Sequence, residues 1–108
     1  MLNVSVVSPD RTVFQGEAAS VVAPAWDGQV GLRSRHAPMI TLLGSGPLTV
    51  DNPGGGSHEF WIAGGVLKVE SDVVTILTEF ASDSEPDQET RERLAAVVAA
   101  GVNDAIGV

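Results

Sequence analysis

The chain has 108 residues, 44% apolar and 19% charged, enough for one domain with its own core and too apolar for wholesale disorder. Fourteen Asp and Glu against six Lys and Arg give a net charge of −8, which argues against a nucleic-acid binder and against direct docking on anionic lipid. There is no cysteine, so disulfides, thiolate zinc sites and a cysteine nucleophile are excluded.

The first element in chain order is Leu2-Asn3-Val4-Ser5-Val6, whose apolar–polar alternation is the period-2 mark of a half-buried strand, stopped by Ser8-Pro9-Asp10. Thr12 to Gln15 and Ala19 to Ala23 read as the next two strands, and Asp27-Gly28 is a turn that opens Gln29 to Leu32. Leu48 to Val50 leads into Asp51-Asn52-Pro53-Gly54-Gly55-Gly56-Ser57, too rich in turn residues for core strand and expected as a hairpin tip. His58 to Ile62, Val66 to Glu70 and Val73 to Glu79 complete the β part, with Gly64-Gly65 a corner between two of them. Ser71-Asp72 is the turn joining the last pair, in which Leu67, Val69, Val74 and Ile76 point inward and Lys68 and Glu70 outward. Short, closely spaced strands without intervening helices predict an antiparallel sandwich or barrel, since a parallel α/β sheet has no room for its crossovers.

Beyond residue 80 the composition changes. Ser84-Glu85-Pro86-Asp87 has the form of a helix start, with Ser84 as N-cap and Pro86 in the first turn. Leu94, Val98 and Val102 then fall on one face, so the expected division is a β domain over 1–82 and a helical segment over 83–108. No apolar run reaches the roughly 18 residues of a membrane span, and Met1-Leu2-Asn3-Val4 lacks a charged leader region; a soluble intracellular domain is expected.

Chemistry is sparse. Gly64-Gly65-Val66-Leu67-Lys68 lacks the spacing of a phosphate loop, and Asp83 to Asp87 lacks the glycine and the closing acid of a calcium loop. His36 and His58 have no partner set for a metal, and no serine stands in a nucleophile elbow. The chain is therefore expected to be non-catalytic, without cofactor or metal. One local feature runs against the acidic background: Arg33-Ser34-Arg35-His36 concentrates two of the six basic residues in a loop, as either a solvated turn or a contact patch.

At this loop the sequence resembles the epsilon subunit family of F-type ATP synthases, called delta in mitochondria. The resemblance is carried by Asp27-Gly28-Gln29-Val30-Gly31-Leu32, by His36-Ala37-Pro38-Met39-Ile40-Thr41 with Gly46, and by Val4 to Arg11 with Val13-Phe14-Gln15-Gly16. Phe60-Trp61-Ile62-Ala63-Gly64-Gly65-Val66-Leu67-Lys68-Val69 and Val73 to Glu79 complete it, so residues 2 to about 81 are covered. It implies a mainly β fold with a C-terminal α part: a flattened ten-stranded antiparallel β-sandwich followed by one short helix or two very short ones. The implied function is that of a non-catalytic rotor subunit of the central stalk in a proton- or sodium-translocating synthase. Such a subunit clamps gamma to the membrane c-ring and couples ion flow to ATP synthesis, at the cytoplasmic face of the bacterial inner membrane and peripheral through its partners. Those partners are gamma, the c-ring loops and, through the tail, the alpha/beta catalytic head, with no direct membrane insertion. The alternative reading is a β-sandwich binding module of another complex.

The resemblance also places the partner interface, at Gln29, Arg33, Arg35, His36, Met39 and Trp61. Gln29 stands where the family often has Glu, and Arg33-Ser34-Arg35 makes the loop more basic than usual, suited to carboxylates on the c-ring loops or gamma. Trp61 alternates onto the face opposite Phe60 and Ile62 and is expected to be the exposed one of the two tryptophans. In the tail, Asp87 and Arg91 approximate the family's ATP-binding pair with a spacing one residue too long. The expected role of Leu94, Val98 and Val102 is thus to dock a short helix onto the sandwich rather than to extend along gamma.

Overall fold

A computed structural model describes residues 1–83, 87–90, 92, 93 and 96. Its β part comprises β1 (Leu2–Ser8), β2 (Arg11–Ala18), β3 (Ser20–Ala25), β4 (Gly28–Arg33), β5 (Met39–Leu42), β6 (Ser45–Asp51), β7 (Ser57–Glu70) and β8 (Val73–Ser82). The strands hydrogen-bond in the order β2-β1-β8-β7-β6-β3-β4, with β5 also paired to β7.

Two long strands shape this path into a sandwich. The first half of β7 pairs with β6, from Ser57↔Asp51 to Ala63↔Ser45, and its second half pairs with β5, from Val66↔Leu42 to Val69↔Met39. β8 follows it, pairing Ser82 with Trp61 at one end and Val73 with Glu70 at the other. One layer is therefore β2-β1-β8-β7-β5 and the other β4-β3-β6-β7-β8, each using a different half of β7 and β8. Among the described residues eight strands stand where ten were expected, because these two run unbroken between the layers; counted by halves they supply the missing pair.

The corner expected at Gly64-Gly65 is accordingly a bend inside one strand. Both glycines adopt positive φ, 72° and 110°, a region that side chains disfavour. Thr78, 4% exposed, sits at the matching bend of β8, where its hydroxyl lies 2.9 Å from the carbonyl oxygens of both Gly64 and Phe80.

The antiparallel expectation needs one correction. β1 runs parallel to β8, from Asn3↔Val73 to Val7↔Leu77. The β1–β2 and β7–β8 hairpins lie side by side, and the rest of the domain serves as the connection, so no dedicated crossover helix is required.

The core follows from alternation. Leu2, Val4 and Val6 of β1, Leu48 and Val50 of β6, and Ile62 of β7 are buried in one cluster with Leu67, Val69, Val74 and Ile76, the four positions expected to face inward. Lys68 and Glu70 are exposed, as expected. Ser71 and Asp72 form a two-residue hairpin turn with φ of 50° and 62°, the paired left-handed geometry whose twist matches flanking strands.

Helical residues begin at Gln88, and the Asp87 carboxylate accepts the backbone N–H of Thr90 at 2.8 Å, the position of an N-cap. The cap expected at Ser84, the Pro86 position, Arg91 and the docking residues Leu94, Val98 and Val102 lie outside the described residues.

Candidate functional site: two exposed faces of the sandwich

On β4 the outward positions are Gln29, Gly31 and Arg33, opposite Pro24, Val22 and Ser20 of β3. Ser20 in turn pairs with Asp51 of β6, and its Oγ donates to Asp51 Oδ2 at 2.6 Å. Beyond Arg33 the chain turns: the His36 N–H donates to the Arg33 carbonyl at 3.2 Å, and Arg35 takes a left-handed φ of 67°. Its backbone N–H donates to Asp72 Oδ1 at 2.7 Å, tying this loop to the β7–β8 turn of the other layer.

The result is an open groove of about 480 Å³ lined by Ser20, Arg33, Ser34, Arg35, His36 and Asp51, among others. Three residues singled out in the sequence, Arg33, Arg35 and His36, thus share one surface. Neither arginine makes an ion pair among the described residues. Such a surface offers two guanidinium forks, the group best matched to carboxylates. His36 is half-buried and its Nδ1 lies 2.8 Å from the Ala37 carbonyl, which fixes the ring locally.

The other expected interface residues disperse. Gln29 is exposed on the same face of β4 as Arg33, whereas Met39 is partly buried and packs against the core. Trp61 lies between Pro47 of β6 and Ser82 of β8. The expectation that it is the exposed tryptophan is overturned: Trp26 is 54% exposed, while Trp61 is partly covered and its indole Nε1 is buried without a hydrogen-bond partner among the described residues. Alternation gives the side of a strand on which a residue lies, not what covers that side. Trp26 follows β3 in the turn to β4, where its backbone N–H donates to the Leu42 carbonyl of β5 at 3.0 Å while its side chain stays exposed.

A second surface was not singled out from the sequence. Leu42 of β5 pairs with Val66 of β7, Val66 with Leu77 of β8, and Leu77 with Val7 of β1. Directly paired residues share a face, so these four form one apolar row across four strands on the outside of the first layer. Leu77 is 53% exposed, and Ile40, on the same face of β5, is 69% exposed. The signal that would have found the row is the outward apolar residue in each strand, which becomes a stripe only once the register is known.

Among the described residues no group of His, Asp or Glu is placed to hold a metal ion, and no helix is long and apolar enough to cross a membrane.

Three kinds of similarity bear on this architecture. The sequence profile of the ATP synthase Delta/Epsilon chain beta-sandwich domain matches residues 1–84. The ATP synthase epsilon chain of Alkalilimnicola ehrlichii is 35% identical over 97 residues, covering 85% of this chain and 69% of that one. The epsilon chain of Stenotrophomonas maltophilia is 39% identical over 90 residues, covering 83% and 64%. Epsilon chain 1 of Methylococcus capsulatus is 40% identical over 80 residues, covering 74% and 57%. The chain thus spans between 57% and 69% of the length of these relatives. Among solved structures, a chain of the Euglena gracilis mitochondrial ATP synthase superposes with a TM-score of 0.73 at 20% identity, covering 97% of this chain and 81% of that one. A chain from the central stalk and c-ring structure of the Tetrahymena thermophila mitochondrial enzyme gives 0.65 at 12%, covering 96% and 95%. At these identities the structural likeness speaks to the fold.

Proposed function

The chain belongs to the ATP synthase delta/epsilon family, and on that premise we propose that it is the non-catalytic central-stalk subunit of an ion-translocating synthase. In this reading the sandwich holds gamma against the c-ring at the membrane surface, without itself entering the membrane. The observation that carries it is the extent of the family match: residues 1–84 contain all eight strands found among the described residues, so the likeness is to the whole sandwich rather than to a local motif.

The physical character of the domain suits a mechanical role. A rotor part transmits torque through rigid packing, and dense antiparallel pairing around one core provides that stiffness. The apolar row Leu42–Val66–Leu77–Val7 is assigned to gamma, because a stripe of exposed apolar side chains on a flat sheet favours a large dry contact. The basic groove at Arg33, Arg35 and His36 is assigned to carboxylates on the c-ring loops or on gamma, with Gln29 as a neutral hydrogen-bonding neighbour. The apolar row lies on the outside of the first layer, whereas the groove runs from β3 and β4 of the second layer into the loop that leads to β5.

The test is co-elution with the gamma subunit of the same synthase on a sizing column at moderate salt. A stable one-to-one peak is expected. Elution of the chain alone at every ratio overturns the proposal.

A further inference from the structure

Asp72 makes two contacts that reach outside its own hairpin. Its backbone carbonyl accepts the N–H of Asn3 at 2.8 Å, fixing the start of β1. Its carboxylate accepts the N–H of Arg35 at 2.7 Å, across 37 residues of sequence. The acceptor is aimed at the backbone of Arg35, and no ion pair to the Arg35 guanidinium accompanies it.

That choice has a consequence for the groove. Arg35 sits at φ 67°, a conformation that a residue with a long side chain disfavours and glycine adopts freely. A loop required only to turn has no need of arginine there. The charge-assisted hydrogen bond that the Arg35 N–H donates to Asp72 stabilises the strained backbone, and in that conformation Arg33 and Arg35 line one groove with Ser34 between them. We propose that Asp72 is a positioning residue: it holds Arg35 left-handed so that two guanidiniums, neither in an ion pair among the described residues, face one acidic surface of the partner. The inference rests on the reading of the groove as a carboxylate-binding contact.

The test uses the full chain and the detergent-solubilised gamma–c-ring assembly of the same synthase as probe, with affinity measured across a salt series. Asp72→Gly keeps the positive φ of the turn and removes the acceptor; Asp72→Asn keeps both. Asp72→Gly is expected to weaken binding about three- to tenfold at low salt, the equivalent of one hydrogen bond, and to speed exchange of the Arg35 amide in the free chain. Asp72→Asn is expected to stay within about twofold of the parent. Arg33→Ala/Arg35→Ala, run in parallel, is expected to lose affinity and flatten the salt dependence. If the double arginine variant weakens binding while Asp72→Gly does not, or if Asp72→Asn weakens it as much as Asp72→Gly, the positioning role is overturned and the groove reading stands. If the double arginine variant binds like the parent at low salt, the groove reading falls and takes the positioning role with it.

Discussion

Gly65 passes directly beneath the carbonyl of Leu77: a Cβ at position 65 would lie 1.9 Å from that oxygen. This approach exists because β7 and β8 turn from one layer to the other at the same level, with Gly65 paired to Thr78. No side-chain rotamer relieves such a clash, since both parties are backbone or Cβ. With φ at 110°, conformation and space both exclude alanine.

Gly65→Ala is therefore expected to cost at least about 3 kcal/mol, or to prevent folding, because the two strands must part where they bend. Gly54→Ala is the control, since nothing lies within 4 Å of its added Cβ; it should stay within about 0.5 kcal/mol. Urea unfolding of the two variants gives the comparison. A Gly65→Ala protein as stable as the parent would mean that the bend lies elsewhere.

Thr78 is the polar half of the same corner. Its hydroxyl has one proton to give and lies near the carbonyls of Gly64 and Phe80, both at 2.9 Å, and of Ala63 at 3.3 Å. All three carbonyls lie where the two strands change direction. Thr78→Val keeps the shape and deletes the hydroxyl, so it should cost about 1–3 kcal/mol. Thr78→Ser keeps the hydroxyl and loses one methyl, about 1 kcal/mol. Equal losses in the two variants, read from denaturant midpoints, would assign the position to packing instead.

The residues that the sequence exposes most clearly are those whose burial alternates. Leu2-Val4-Val6 and Leu67-Val69-Val74-Ile76 are written in period 2, and the turn at Ser71-Asp72 is fixed by where the alternation changes strand. Gly64-Gly65 defeats that reading because glycine marks both strand ends and strand bends, and only pairing on both sides separates them. β5 is hidden in Met39-Ile40-Thr41-Leu42-Leu43, a short run without clean alternation after Pro38. Of the candidate site, the basic loop was legible because its charge contrasts with an acidic chain. The bond from Arg35 to Asp72 and the row from Leu42 to Val7 were not, since both depend on registers between segments far apart in sequence.

The turn geometry makes a further prediction. Ser71, at φ 50°, is a residue that tolerates the left-handed region less well than asparagine, whose side chain hydrogen-bonds locally. Ser71→Asn leaves the Asp72 contacts in place and should raise stability by about 0.5 kcal/mol. A lowered thermal midpoint would indicate that Ser71 contributes something beyond its backbone.

The apolar row supplies the sharpest test of the gamma assignment, because Leu77 within it is more than half exposed. Leu77 is 53% exposed and Val73, four positions earlier on the same face of β8, is 47% exposed, yet only Leu77 belongs to the row. Leu77→Lys places a charge in the middle of the stripe, where burial against a partner would leave it unpaired. It should lower affinity for gamma at least tenfold, equivalent to about 1.4 kcal/mol, while unfolding stays within about 1 kcal/mol of the parent. Val73→Lys, beside Glu70 and outside the row, should bind gamma as the parent does. Titration of each variant into labelled gamma separates the outcomes. Equal binding by the two would remove the row from the interface and leave the remaining exposed surface of the sandwich to be searched.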